Sequence, residues 1–244
     1  MKIVFEKPYL EKNGNNTRVC CRITGMEAQP FVLWYEVDNA YADCLCTERS
    51  DAFLVGLLPH LMARSSTDAP SVVELAQPLS ERIYYQINQA ILPALVPASK
   101  GMYKPIELVC EVDGTVLPTA RAVGTGISGG VDSFYTLLTN QDSKATRYNL
   151  THGVYCDLAL YGPIGGEAEQ KRWKFAQDIC DAGGIRAVKI TSNLCRDLYK
   201  VGHDAIITFM ILSNVLALQK LFSTYYISSG FSFEEFTMDV HSCP

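Results

Sequence analysis

Apolar positions in the second half of the chain alternate between short runs and longer stripes at helical spacing. The short runs are apolar throughout, and such runs are typical of strands in a parallel sheet that is covered on both faces. Strands are predicted at 120–126, 150–156, 187–191 and 225–229, and helices at 131–139, 167–181 and 204–222. Folds of this kind bind ligands at the carboxyl ends of their strands, where the strand order reverses.

The first half of the chain has a mixed pattern. Strands are predicted at 18–23, 31–37 and 106–112, and helices at 51–64 and from Ser80 onward, where Ser80 can cap the first turn. Pro59 is expected to kink the first helix, and Pro93 and Pro97 to end the second. The chain is therefore predicted to be α/β, with an α+β lobe at 1–117 followed by a doubly wound parallel domain at 118–244.

Charge and hydropathy narrow the classes of function. The net charge is −5, from 21 Lys and Arg against 26 Asp and Glu, and no basic cluster occurs, so nucleic acid is not an expected partner. The longest apolar stretch, 205–218, is shorter than the about 20 residues that span a bilayer. No signal-peptide pattern opens the chain, and its nine cysteines include no C-x-x-C pair. A cytoplasmic protein without a membrane segment is expected.

Two glycine motifs overlap between the first strand of the parallel region and its first helix. The first is G-x-G-x-x-G, formed by Gly124, Gly126 and Gly129, a pattern that binds dinucleotides in Rossmann folds. That pattern also needs an acid about 20 residues further on. The nearest candidate, Asp157, lies 28 residues beyond Gly129.

The second motif is S-G-G-x-D-S, formed by Ser128, Gly129, Gly130, Asp132 and Ser133. The glycines let backbone N–H groups approach a phosphate, the serines add hydroxyl donors, and the helix that follows presents its positive end. A carboxylate at Asp132 would repel pyrophosphate unless it binds a Mg²⁺ ion that bridges the phosphates. The segment therefore favours a nucleoside triphosphate with its metal over NAD.

This segment resembles the signature of the PP-loop ATP pyrophosphatases, a superfamily that includes GMP synthetase, NAD synthetase, argininosuccinate synthetase and tRNA-thiolating enzymes. The resemblance covers residues 118–244. It implies an adenine nucleotide alpha hydrolase-like fold of the HUP type, with helices on both faces of the sheet. It also implies that ATP and Mg²⁺ adenylate an acceptor oxygen with release of pyrophosphate, after which a nitrogen or sulfur nucleophile displaces AMP.

The resemblance also assigns the site. It places adenine against the backbone of Val154, Tyr155 and Cys156, for which plain strand core is the alternative, and adds a second small-residue loop around Ser229 and Gly230. Further positive charge is expected from Lys200 and His203, whereas a solvated helix face is favoured for Lys171, Arg172 and Lys174. The expected catalytic residues are Asp132, Lys200 and His203, with Asp132 as the metal ligand. The expected ATP-binding residues are Ser128, Gly129, Gly130, Val131, Asp132, Ser133, Val154, Tyr155, Ser229 and Gly230.

Several alternatives stay open at this point. The leading partner is a small-molecule acceptor; tRNA thiolation, an NAD-dependent oxidoreductase and a non-catalytic nucleotide-binding protein are the rivals, and a homodimer is left open. Relatives continue with another strand and helix after the second loop, whereas this chain ends about a dozen residues later. The resemblance therefore implies a domain truncated at its C-terminus.

Overall fold

The computed structural model describes residues 1–159, 162–194 and 207–227. Its strands are β1 (Lys2–Phe5), β2 (Tyr9–Asn13), β3 (Asn16–Thr24), β4 (Phe31–Asp38), β5 (Ser71–Leu75), β6 (Leu79–Ser80), β7 (Ile106–Val109), β8 (Val112–Asp113), β9 (Ala122–Gly126), β10 (His152–Asp157), β11 (Arg186–Ser192) and β12 (Phe222–Tyr226). Its α-helices are α1 (Asp51–Arg64), α2 (Glu81–Gln86), α3 (Leu92–Ala98), α4 (Val131–Thr139), α5 (Glu167–Ala182) and α6 (Ile207–Ala217). Short 3₁₀ helices lie at Asn39–Cys44 and Thr146–Tyr148, and a π-helical turn at Ile87–Ile91 joins α2 to α3.

Ten of these strands form one mostly parallel sheet. Its order is β12-β9-β10-β11-β4-β3-β1-β5-β7, with β2 beside β3, and β6 and β8 pair separately. In the second half of the chain, β9, β10 and β11 lie side by side in chain order, and β12 then pairs with the opposite edge of β9. The strand order therefore reverses between β9 and β12. This order is compatible with a Rossmann-like α/β fold. The predicted parallel sheet is confirmed, while the HUP type stays a prediction.

The sheet continues without a break across the predicted lobe boundary at residue 117. Strand β4 of the first half pairs antiparallel with β11 of the second half, with Tyr35 opposite Ser192. The Asn193 side chain extends this junction, because its Oδ1 accepts from the Trp34 N–H at 3.0 Å and its Nδ2 donates to the Val32 carbonyl at 2.8 Å. Both halves of the chain therefore contribute strands to the same sheet.

Helices cover both faces of the parallel region. Neighbouring strand residues point to opposite faces, and Ala122 and Val123 of β9 belong to different hydrophobic clusters. Val123 packs in a cluster with residues of α4 and α5, whereas Ala122 packs in the cluster that contains α1 and α6. Within the described ranges, no helix has the length and apolar character that crossing a membrane requires.

Helix α1 is the most deeply buried helix, and it rests on the sheet at a glycine. Eleven of its 14 residues are buried, and the Tyr35 hydroxyl of β4 donates to the Ala52 carbonyl at 3.1 Å. A Cβ atom at Gly56 would lie 2.7 Å from the Tyr35 Oη and 3.1 Å from the Ser213 Cβ of α6. The missing side chain at position 56 therefore lets α1 approach β4 and α6 together.

Two expectations about helix ends were wrong. The helix opened by Ser80 does not end at Pro93 and continues to Ala98, directly after Pro97, because the preceding π-helical turn, in which the Leu92 N–H donates to the Ile87 carbonyl, widens the backbone before the Pro93 ring. Helix α6 ends at Ala217 rather than 222, since Phe222 pairs with Ala122 as the first residue of β12. Pro59, expected to kink α1, lies inside that helix without ending it.

We expect Gly56→Ala to lower the free energy of unfolding by about 1–2 kcal/mol, because overpacking outweighs the gain in helix propensity. Urea denaturation measures this change. The Tyr35→Phe variant removes the atom nearest to the new methyl group, so Gly56→Ala should cost less in that background. Equal or higher stability of Gly56→Ala in the wild-type background would contradict the close packing of α1 on β4.

Candidate functional site

The segment with the two glycine motifs lies at the carboxyl edge of the sheet, beside the reversal of strand order. Strand β9 ends at Gly126 and α4 begins at Val131. The loop starts at a fixed point, because Ile127 is buried and its N–H donates to the Val154 carbonyl of β10 at 2.9 Å. Ser128 and Gly130 are exposed, so this loop presents its backbone beyond the end of the sheet.

Gly129 is needed for its conformation and for its lack of a side chain. Its φ of +79° is in the left-handed region, and a Cβ atom there would collide with the Phe175 ring of α5. Gly130 is the N-cap of α4 and contributes no side-chain cap to the first N–H groups of the helix. The N-terminus of α4 therefore offers backbone donors and the positive end of the helix dipole.

The two serines of the motif hold the loop in shape. The Ser133 hydroxyl, which is 5% exposed, donates its single hydrogen to the Gly130 carbonyl at 2.8 Å. Ser128 Oγ accepts from the Gly130 N–H at 3.3 Å, which leaves the Ser128 hydrogen for another partner. Of the two hydroxyl donors expected from sequence, Ser128 is thus the one that can donate to a ligand in this conformation.

Asp132 lies in the first turn of α4 with its side chain exposed. A carboxylate at this end of a helix is stabilised by the dipole. Among the described residues, no group of three or more His, Cys, Asp or Glu side chains is arranged to hold a metal. Asp132 is thus a single candidate carboxylate at the loop, without a cluster of such side chains among the described residues.

A cavity of about 330 Å³ opens beside the loop, at the carboxyl ends of β9, β10 and β12. It is lined by Gly126, Ile127, Ser128, Asp132, Ser133, Val154, Tyr155, Cys156, Leu158, Arg172, Phe175, Ala176, Ile207, Ile211, Tyr225, Tyr226 and Ile227. The structure thus brings together the predicted residues Ser128, Asp132, Ser133, Val154 and Tyr155. Lys200, His203, Ser229 and Gly230 lie outside the described residues.

The cavity has two chemically different sides. What we term the α5 side carries the loop together with Arg172 and Phe175 of α5, and it is the polar side. What we term the α6 side is formed by Val154, Cys156, Tyr225, Ile207 and Ile211, and it is mainly apolar. A ligand with an ionic end and a flat apolar end matches this arrangement.

Arg172 is a site residue that the sequence analysis did not favour. The neighbouring cations behave as expected for a solvated helix face, because Lys171 pairs with Glu167 at 2.6 Å and Lys174 pairs with Asp178 at 2.5 Å. Arg172 instead borders the cavity, on the same side as the glycine loop. Helical spacing alone could not show which of these three cations faces a ligand, because the side of α5 that borders the cavity is known only from the structure.

Part of the backbone predicted to contact adenine lies beyond the end of the pairing between β9 and β10, at Cys156. Strand β9 pairs with β10 only as far as Val154, whereas β11 pairs with β10 as far as Asp157. Among the described strands, none covers the β9-side edge of Tyr155 and Cys156, and both residues border the cavity. The Val154 carbonyl itself already accepts from the Ile127 N–H.

Two buried carboxylates beside the cavity each have a partner, and both contacts involve a residue of β10. The Tyr155 hydroxyl donates to Glu169, which is 1% exposed, and burial together with this hydrogen bond raises the pKa of Tyr155. The Asp157 carboxylate is fully buried, with the Lys189 ammonium 2.9 Å from its Oδ2. Burial raises the pKa of the Cys156 thiol to about 12, which disfavours its thiolate form at neutral pH.

The positions of Gly124 and Asp157 differ from those that the dinucleotide motif requires. Gly124 lies inside β9 rather than in the turn, and a Cβ atom there would lie 2.5 Å from Phe222 Cε1 and 2.9 Å from Tyr225 Cδ2. This glycine makes room for the aromatic rings of β12. Asp157 is buried against Lys189 and is not exposed to a ribose.

Comparisons with models of protein families, with curated proteins and with solved structures find no match for this chain. Membership of the PP-loop superfamily therefore stays a prediction that rests on the S-G-G-x-D-S segment. The chemistry of the site has to be argued from the cavity and the residues that line it.

We expect Gly124→Ala to lower the free energy of unfolding by about 1–3 kcal/mol, because the new methyl group overlaps the rings of Phe222 and Tyr225. Gly126→Ala is the matched control on the same strand and face, since its Cβ would meet nothing closer than Tyr225 Oη at 3.6 Å. It should change stability by less than about 0.5 kcal/mol. Equal costs for both variants in urea denaturation would contradict the assigned packing role of Gly124.

Proposed function

We propose that this protein binds ATP with Mg²⁺ and adenylates the oxygen of a small-molecule acceptor, releasing pyrophosphate. One observation carries the proposal: a single cavity has the Ser128–Ser133 loop, Asp132 and Arg172 on its polar side and an apolar pocket on the other. A nucleoside triphosphate has the same division between an anionic chain and a flat base. The location agrees with the general rule that α/β sheets bind ligands where their strand order reverses.

The residues at the loop fit a magnesium ion that arrives with the nucleotide. Mg²⁺ in phosphate sites is held by one or two carboxylates, with phosphate oxygens and water completing its shell. Asp132 supplies one such carboxylate, exposed at the cavity, and the Ser133 oxygen lies in the next position. The metal would neutralise charge on the phosphates.

The chain's own groups would bind and stabilise the pyrophosphate. The N–H groups at the start of α4 and the Ser128 hydroxyl are donors, and the Arg172 guanidinium adds a permanent positive charge. These groups are in place before the reaction, and such preorganised donors lower the barrier when negative charge moves to the leaving group. Lys200 and His203, proposed from sequence, would add to this charge.

The reaction then needs no nucleophilic side chain. A carboxylate, amide or ureido oxygen of the acceptor attacks the α-phosphorus of ATP, and the bond to pyrophosphate breaks. A nitrogen or sulfur nucleophile next attacks the activated carbon and displaces AMP.

We expect MgATP to bind with micromolar affinity and Asp132→Asn to weaken this binding at least about tenfold, because the variant removes the proposed metal ligand. Isothermal titration calorimetry with and without Mg²⁺ measures both effects. Asp142→Asn is the matched control, because it removes the same charge just beyond the other end of α4.

A titration with NADH and an assay of pyrophosphate release separate the rival functions. Binding of NADH without binding of ATP would discard this mechanism in favour of the dinucleotide motif. A bound MgATP that releases no pyrophosphate with any of a panel of carboxylates, amides and ureas would indicate a nucleotide-binding protein without this activity.

We expect Arg172→Gln to weaken both MgATP and inorganic tripolyphosphate about tenfold, because the lost charge acts on the phosphate chain. Lys171→Gln is the control, since this lysine pairs with Glu167 away from the cavity and should leave both affinities within about twofold. Calorimetric titrations of the two variants check the difference. Equal effects of both substitutions would show that general charge, rather than a contact in the cavity, determines phosphate binding.

A further inference from the structure

Tyr225 lies lengthwise over the end of β9. Its ring packs edge-on against Phe222, with the ring centroids 5.4 Å apart. A Cβ atom at Gly124 would meet Tyr225 Cδ2 at 2.9 Å, whereas one at Gly126 would meet the Tyr225 Oη at 3.6 Å. The hydroxyl therefore points along β9 toward the glycine loop and lies beside Gly126, and both residues line the cavity.

The hydroxyl of Tyr225 is buried and makes no hydrogen bond within the described part of the chain. No other residue that lines the cavity has a buried polar atom of this kind among the described residues. A buried hydroxyl without a partner is unfavourable in the free protein. Burial, and next the neighbouring Cys156, raise the pKa of Tyr225 well above its usual range. The group therefore stays a neutral phenol that can both donate and accept.

The side chains around the Tyr225 hydroxyl determine which kind of ligand group can form a hydrogen bond with it. The other side chains of the α6 side are Val154, Cys156, Ile207 and Ile211, so the wall is apolar around one polar atom. A flat group with polar atoms on one edge fits such a wall better than an ionic group does. Gly126 adds no side chain to this space. Ser128 lies two residues, or about 7 Å of extended chain, further on. One nucleotide can therefore contact both places.

We propose that the α6 side of the cavity holds the base of the nucleotide and that Tyr225 Oη forms a hydrogen bond with the polar edge of that base. This inference rests on the proposed ATP site and goes beyond it, because it assigns the base to a side of the sheet and names the residue that contacts it. Binding supplies a partner that the phenol lacks among the described residues.

The Tyr225→Phe variant tests this assignment. It removes the unpaired hydroxyl and keeps the ring, so the melting temperature of the free protein should equal or exceed that of the wild type. The affinity for MgATP should fall about tenfold, while that for inorganic tripolyphosphate with Mg²⁺ should stay within about twofold. Tyr35→Phe is the matched control: its hydroxyl bonds to the Ala52 carbonyl far from the loop, so it should lower the melting temperature and leave both affinities unchanged.

Each other outcome has a definite meaning. Equal affinity of wild type and Tyr225→Phe for MgATP would overturn the assignment of the base and leave the phosphate site standing. A parallel loss for MgATP and tripolyphosphate would also overturn it, because the substitution would then act on the loop. Failure of the wild type to bind either compound would overturn the proposed function and this inference with it.

Discussion

Three residue pairs between β4 and β11 join the two halves of the chain into one sheet. This junction has consequences for the cavity, because it places α1 of the first half against α6 of the second. Helix α6 in turn contributes Ile207 and Ile211 to the cavity wall, and Gly56 of α1 lies in contact range of Ser213 on the same helix. The first half of the chain therefore supports the apolar wall from behind, although none of its described residues lines the cavity.

The distribution of charge around β10 follows from the same architecture. Glu169 and Asp157 are almost completely buried, and each has its partner: a phenol for Glu169 and an ammonium for Asp157. Breaking a buried pair leaves an uncompensated group and is strongly destabilising. These acids therefore belong to the framework that fixes β10 and α5. Asp132 is the contrasting acid, since it is exposed at the cavity and placed where a helix dipole favours negative charge.

Local sequence signals predicted the elements that local interactions determine. The bounds of α4 and α1 and the start of α5 follow from glycine, serine and proline positions and from helical spacing, and they were confirmed. The loop at Ser128–Ser133 was selected as a candidate because each residue type there suits phosphate and metal binding, and this assignment stays a prediction. Strands β1 and β5 were missed, since their pairing depends on partners distant in sequence. The same holds for Arg172 and Tyr225, whose relation to the cavity depends on how α5 and β12 pack.

Two features of the described residues oppose stability at the cavity: a buried phenol, Tyr225, that has no hydrogen bond to the described part of the chain, and a helix N-terminus without a side-chain cap. Each costs free energy, on the order of 1 kcal/mol or more for features of this kind. A nucleotide would compensate both at once, with its base on the phenol and its phosphates on the helix. Ligand binding and folding are then linked, because any compound that binds only the folded protein stabilises it by mass action. Under the proposed function, the cavity would combine groups that cost stability in the free protein with a nucleotide that satisfies them.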